Sequence, residues 1–228
     1  MSNAASTGEA AGLVIIGSGL AAYTLAREFR KLDKQTPLTI LSRDHAGFYS
    51  KPMLSNALAS NKTAATLVMK SAEKMAADLN AVVRANAQVD SLNPAARTVI
   101  LSSGEVIAYR DVVLALGADT LRIQCAGDAA DAVISVNDLD DYARFAQQLE
   151  GAKTVAICGA GLIGCEFAND LLHRGVHSTV IDLADRPLSR LLPVEASAFL
   201  RDKLEAAGVQ FRFEVAVHQI NLTATGFE

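Results

Sequence analysis

Tryptophan is absent from the 228 residues and aromatic side chains make up only 5 % of them, although half the residues are apolar. Packing therefore falls to Ala, Val, Leu and Ile, which suits an α/β core. No apolar run exceeds strand length, far below the ~18 residues needed to span a bilayer. The first dozen residues, MSNAASTGEAAG, lack the basic and apolar stretches of a signal peptide. Both absences read as a cytosolic protein. No block of like charge occurs, and a net charge of −4 disfavours a nucleic-acid surface. Cys125, Cys158 and Cys165 show neither C-x-x-C nor metal-ligand spacing, and His45, His173, His177 and His218 show no ligand spacing, so no metal site is expected. Cys158 and Cys165 read as small buried hydrophobes.

What the chain does contain is two glycine-rich loops of one design: LVIIGSGLAA from Leu13 and TVAICGAGLIG from Thr154. Each follows an apolar strand and opens a helix. One such loop is a weak signal; two imply a pair of dinucleotides held at once, and hence electron traffic between them. The first βαβ unit comprises a buried strand at Leu13–Ile16, a helix over 20–32 with an apolar stripe at Leu25, Phe29 and Leu32, and a strand at Leu38–Leu41. An irregular stretch, 42–60, leads to a helix over 72–79 and short strands at 82–84, 98–101 and 105–107. A buried strand over 111–116 follows. Asp138, Asp140 and Asp141 mark the start of a helix that runs to Gly151. The second βαβ unit has strands at 154–158 and 178–182 around a helix over 162–173; a further helix (194–207) and strand (209–214) complete the pattern. The sequence thus predicts an α/β fold with two doubly wound, Rossmann-type domains: a tail over 1–12, a first domain over 13–120 and a second, incomplete one over 121–228.

In the second loop the pattern Gly159-x-Gly161-x-x-Gly164 is complete. The first glycine permits the turn, the second lets backbone N–H groups of Leu162 and Ile163 approach a pyrophosphate, and the third lets helix and strand pack closely. Asp182, 23 residues beyond Gly159, can accept from ribose hydroxyls and would repel a 2′-phosphate, favouring NAD over NADP; Arg186 nearby argues the other way. The first loop reads Gly17-Ser18-Gly19-Leu20-Ala21-Ala22, with Ala at the third position. No acidic residue ends the next strand, so Ser42 or backbone groups hold the ribose, or Asp44 reaches back. Between the loops, Pro52 stiffens the chain beside Lys51. Glu166 places a charge in the first turns of the second loop's helix, where a cation from the other domain could pair with it; buried alone it would be strongly destabilising.

Several segments carry a resemblance: IIGSGLAAYTLAREFRKLD, YSKPMLSNALASNK, YRDVVLALGA, AGDAADAVISVNDLDDYARF and GAGLIGCEFANDLLHRG. Over about residues 13–215 the chain resembles the two-dinucleotide flavoprotein reductases, and among them the branch that reduces rubredoxin. The resemblance implies FAD at the first loop, on Ser18 to Ala21, with Ser42 and Arg43 near the adenosine and Val89 meeting the adenine through its backbone. It implies NADH at the second loop and an inter-domain strand at Ala115–Leu116–Gly117. Lys51 would lie near the flavin N5, paired with Glu166, and electrons taken from NADH would pass singly to rubredoxin, the supply line of alkane hydroxylation. No Cys pair occupies the positions used by the disulfide branch, so direct transfer from flavin to a metal centre is expected over a dithiol relay.

One departure is large. In the resembled family the FAD domain is discontinuous; a returning segment carries a second FAD motif ending in Gly-Asp, and a C-terminal domain follows. Neither lies within the 228 residues, and Asp128 sits too early to be that motif. The first sheet is then expected to lack a closing strand and expose an apolar edge. The expectation is weak FAD binding and little turnover; a yellow, FAD-saturated preparation of this chain with NADH-driven diaphorase activity would overturn it. Three readings stay open: a rubredoxin-reducing flavoenzyme in truncated form, a ferredoxin-reducing component of an oxygenase system, and a non-catalytic nucleotide-binding fragment.

Overall fold

The computed structural model describes residues 11–228. Two compact units make up the chain. The first combines the chain up to Lys51 with Val68–Asp119; the second combines Pro52–Leu67 with Thr120–Glu228. Where the sequence predicts continuous domains over 13–120 and 121–228, the stretch Pro52–Leu67 therefore groups with the second unit. The expected tail over 1–12 falls outside the described residues except for its end. Gly12 belongs to the fold, because its carbonyl accepts the amides of Arg110 and Asp111 and a Cβ there would lie 2.0 Å from the Pro37 carbonyl oxygen.

In the first unit β1 (Leu13–Ile16) is buried at all four residues, as a strand covered on both faces must be. Beside it lies β2 (Leu38–Leu41), in parallel register with Leu13 opposite Leu38, and β3 (Val82–Arg84) continues on the far side. A separate antiparallel sheet of β4 (Val89–Asn93), β5 (Thr98–Leu101) and β6 (Val106–Ala108) covers one face. The chain then returns as β7 (Asp111–Leu114) along the free edge of β1, giving the order β3-β2-β1-β7. The strand predicted over 111–116 stops two residues early, and β4 has no counterpart in the sequence reading: its pattern, half-buried and exposed, carries too few apolar residues to announce a strand.

The helix Leu20–Leu32 matches its predicted bounds, but its buried face is different. Ala22, Tyr23 and Ala26 are fully buried; Leu25 and Phe29 flank them, and Leu32 is 90 % exposed. Two alanines let the helix sit close above β1 and β2, so the small residues, not the large ones, define the contact line. Helix Ala72–Leu79, capped by Ser71, supplies Met75 and Leu79 to the same core.

The second unit repeats the theme with β8 (Thr154–Cys158), helix Leu162–Leu172, β9 (His177–Ile181), helix Val194–Ala206 and β10 (Gln210–Arg212), ordered β10-β9-β8 and parallel throughout. A small hairpin joins β11 (Leu222–Thr223) to β12 (Gly226–Phe227). Helix Leu139–Gln148, with the Asp138 side chain accepting from the Asp141 amide, confirms the acidic start read from sequence. Cys158 corrects an expectation: it is exposed, because β8 is an edge strand that alternates exposed and half-buried residues. Cys165 is buried as expected.

Ile15 is fully buried in the central strand. Ile15→Ala should cost about 2–5 kcal/mol in urea unfolding, whereas Leu32→Ala should stay within about 0.5 kcal/mol. Equal losses would contradict the assignment of the buried face.

Candidate functional site

The two glycine loops are built alike. Gly17 and Gly159 hold φ of +114° and +112°, values that L-residues with a Cβ rarely adopt, and each turns the chain out of a strand. Gly17 also faces the Ala115 carbonyl oxygen, 2.1 Å from where a Cβ would stand, so this position excludes side chains on two grounds. Gly19 and Gly161 occupy the N-cap positions of helices Leu20–Leu32 and Leu162–Leu172 in extended conformation, φ −74° at both. Neither supplies a side-chain cap, and neither helix has an acid in its first turn. Nothing lies within 4 Å of a Cβ built on either residue. The first-turn N–H groups, among them those of Leu20, Ala21, Leu162 and Ile163, thus form two uncapped positive helix ends open to an anion.

The loops differ at the third glycine. A Cβ on Gly164 would lie 1.9 Å from the Gly159 carbonyl oxygen, which is why helix and loop approach so closely there. In the first loop Ala22 fills the equivalent place and is buried.

Around the first loop, Ser18 and Ser42 share a 2.6 Å hydrogen bond, and both hydroxyls reach Asp44 Oδ1, at 3.2 and 2.6 Å. Of the alternatives open in the sequence, Asp44 does turn back onto the loop. Burial works to raise its pKa, but hydrogen bonds from Ser42, the Ala46 amide and Ser18, with His45 close by, outweigh burial and hold the carboxyl below its usual range. Tyr23 donates to the Ala46 carbonyl, and burial, then the charge of Asp44, pushes its hydroxyl pKa up to about 12. Arg43 is paired with Asp119, whose carboxyl it holds low, with a smaller contribution from Lys51. Val89 opens β4, and its carbonyl accepts the Gln88 side chain at 3.0 Å. Gly117 follows β7 with φ +70° and open space where a Cβ would be. Lys51 begins a 3-10 helix, Lys51–Asn56.

Around the second loop, Asp182 stands one residue past β9 and its carboxylate accepts from the amides of Ala160, 2.5 Å, and Ala184, 2.7 Å. It therefore ties the glycine loop to the next turn. Arg186 is engaged by Asp185 at 2.8 Å and by the Ser189 carbonyl at 3.3 Å. Glu166 accepts from the Ser55 hydroxyl at 2.5 Å, and Asp170, one turn further along, accepts from the amides of Leu58 and Ala59. Ser55 and Asp170 went unread in the sequence; the i, i+4 spacing of two acids on one helix face was the available signal. Burial first, then the charges of Asp182 and Glu166, pushes the Cys165 thiol up to about 11, which makes it a poor nucleophile.

Tandem strand–glycine–helix loops of this construction define a class, and the comparisons agree. Residues 11–226 match the model of the pyridine nucleotide-disulphide oxidoreductase family, and the chain belongs to that family. A rubredoxin-NAD(+) reductase of Alcanivorax borkumensis is 46 % identical over 201 residues, 88 % of this chain and 52 % of that protein. One from Acinetobacter baylyi is 43 % identical over 214 residues, 92 % and 54 % of the two chains. The ferredoxin reductase of the CYP199A2 system from Rhodopseudomonas palustris superposes with a TM-score of 0.85 at 26 % identity, covering 94 % of this chain and 53 % of that one. The chain spans about half the length of the curated relatives it matches. Among the described residues no helix is long and apolar enough to cross a membrane, and no cluster of three potential metal ligands occurs.

The folded-state pKa of Asp44 lies below its unfolded value, so the unfolded chain binds more protons and this stabilisation vanishes as pH falls through the folded pKa. Asp44→Asn should therefore be less stable than the parent at pH 7, and the gap should close on acidification below about pH 4. A gap independent of pH, measured by thermal unfolding, would rule out the carboxylate as its source.

Proposed function

We propose that this chain supplies the two dinucleotide sites of an NADH-dependent flavoprotein reductase, FAD at the first glycine loop and NADH at the second, which delivers electrons to rubredoxin. The observation that carries the reading is the pair of uncapped helix N-termini at Gly19 and Gly161, each behind a positive-φ glycine with room for a ligand. Open space where a Cβ would stand at Gly19 and Gly161 suits the approach of a pyrophosphate to both helix ends. When bound, the two cofactors supply hydride acceptance from NADH and one-electron release, chemistry that no side chain here provides.

The duties of the residues follow. Amides of Ser18 to Ala21 would receive the FAD pyrophosphate; the Ser18–Ser42–Asp44 triad would offer polar partners to the ribose, and Arg43 and the Val89 backbone would face the adenosine. Gly117 would leave room beside the cofactor. Lys51 would place a positive charge beside the ring that gains electrons. At the second loop the amides of Leu162 and Ile163 would receive the NADH pyrophosphate and Asp182 the ribose hydroxyls. The engagement of Arg186 by Asp185 and Ser189 favours NADH over its 2′-phosphorylated relative. The absence of any C-x-x-C spacing favours direct transfer to an iron centre over a dithiol relay. Rubredoxin is preferred to ferredoxin as acceptor, because relatives named for rubredoxin are 43–46 % identical and the ferredoxin reductase 26 %. A cytoplasmic setting belongs to the same reading.

Lys51→Met in the flavin-loaded protein should slow flavin reduction by NADH about tenfold or more in stopped flow; an unchanged rate removes Lys51 from the mechanism. Cytochrome c reduction driven by added rubredoxin, against added ferredoxin, tests the acceptor: faster turnover with ferredoxin would reverse the preference.

A further inference from the structure

Asp170 is 1 % exposed, the one buried acid in the helix that follows the second glycine loop. The duties assigned above give it no work. Its two carboxylate oxygens accept separate backbone donors, Leu58 N–H at 2.9 Å and Ala59 N–H at 2.8 Å. One turn earlier on the same face, Glu166 accepts the Ser55 hydroxyl, and Tyr142, fully buried, donates to the Lys62 carbonyl at 2.9 Å. The stretch Pro52–Leu67 is thus gripped near its start, in its middle and towards its end by the rest of the second unit.

Energetics makes the middle grip decisive. A buried carboxylate without partners is strongly unfavourable, whereas one that accepts two aligned N–H groups is a charge-assisted clamp. Asp170 is therefore compensated only while Leu58 and Ala59 stay in place, so helix and segment are held together as one piece. The helix begins at Leu162, whose amide belongs to the uncapped end at Gly161. From there to Asp170 is eight residues, about 12 Å of rigid helix. At the other end of the segment, Lys51 is joined to Pro52 by a single peptide bond and opens the 3-10 turn that contains Ser55.

We propose that Asp170 is a positioning residue: it clamps Pro52–Leu67 to the helix opening at the second glycine loop, so that nicotinamide-dinucleotide binding there is coupled to the order of that segment. The proposal rests on the dinucleotide reading of that loop. It adds a part, an acid that sets Pro52–Leu67 through backbone amides.

Amide hydrogen exchange followed by mass spectrometry on the 228-residue chain, with and without saturating NADH, tests it. In the parent chain NADH should slow exchange of peptides spanning 55–62 about fivefold or more. In Asp170→Asn, where the amide can accept at only one oxygen, that slowing should be lost, while NADH affinity stays within about twofold and β8 and β9 exchange as in the parent. Should Asp170→Asn unfold the unit, the pair Ser55→Ala and Tyr142→Phe, which releases both ends and leaves the middle clamp in place, should keep the slowing; its loss there would assign the coupling to the ends and overturn the role of Asp170. Full slowing in Asp170→Asn, or NADH binding without slowing in the parent, overturns the coupling alone. A parent chain that binds no NADH overturns the dinucleotide reading and the coupling with it.

Discussion

Where a chain leaves a parallel strand and opens a helix within about three residues, as in a dinucleotide-binding loop, a glycine at the turn permits the positive φ of the reversal. Gly17 and Gly159 meet this demand almost identically. Everything else about the two candidate sites follows from the reversal: the helix begins at once, its N-cap is a glycine, and its first N–H groups are left without side-chain partners. A polar side chain at the cap would take up one of those donors, at the second or third helical residue. Glycine keeps them free for an anion, and the same residue that permits the backbone geometry therefore creates the chemistry.

The two loops stabilise this unfavourable geometry by different means. In the first, a strand runs on each side of β1, and the Ala115 carbonyl closes against Gly17. Polar cohesion comes from Ser18, Ser42 and Asp44, a compact set in which one carboxylate oxygen collects three donors. In the second, among the described residues, β8 has a neighbour on one side only, and close packing is achieved along the helix instead, where Gly164 meets the Gly159 carbonyl. Asp182 then fixes the loop directly through the Ala160 amide. An acid near the end of the second strand serves each loop, yet one works through hydroxyls and the other through backbone.

The segment between Lys51 and Val68, with the 3-10 helix Lys51–Asn56 and the short helix Ala64–Leu67, shows how a stretch with little regular structure is given a definite place. It offers few large side chains to a core, though Leu54, Leu58 and Leu67 are buried. Directional bonds to Glu166, Asp170 and Tyr142 add to that burial in fixing its position. Directional bonds to buried groups tolerate less displacement than apolar contact does, because a shifted donor leaves a charge unpaired.

Local chemistry legible in single residues settled much of this protein. Continuous branched apolar runs fixed the parallel strands, glycines at 17, 19, 159, 161 and 164 fixed the two reversals, and Asp138 fixed a helix start, since each of these effects acts within a few residues. Other features depended on partners far along the chain, and only the tertiary structure decided them. Leu32 belongs to an apolar stripe by spacing but lies beyond the contact line set by Ala22 and Ala26. Cys158 has the composition of a core residue but stands on an edge strand. Pairing of Arg43 with Asp119, capture of Ser55 by Glu166 and burial of Asp170 against Leu58 and Ala59 each join residues 76 to 112 positions apart. No local pattern announces such pairs, because burial and hydrogen-bond geometry are properties of the packed chain.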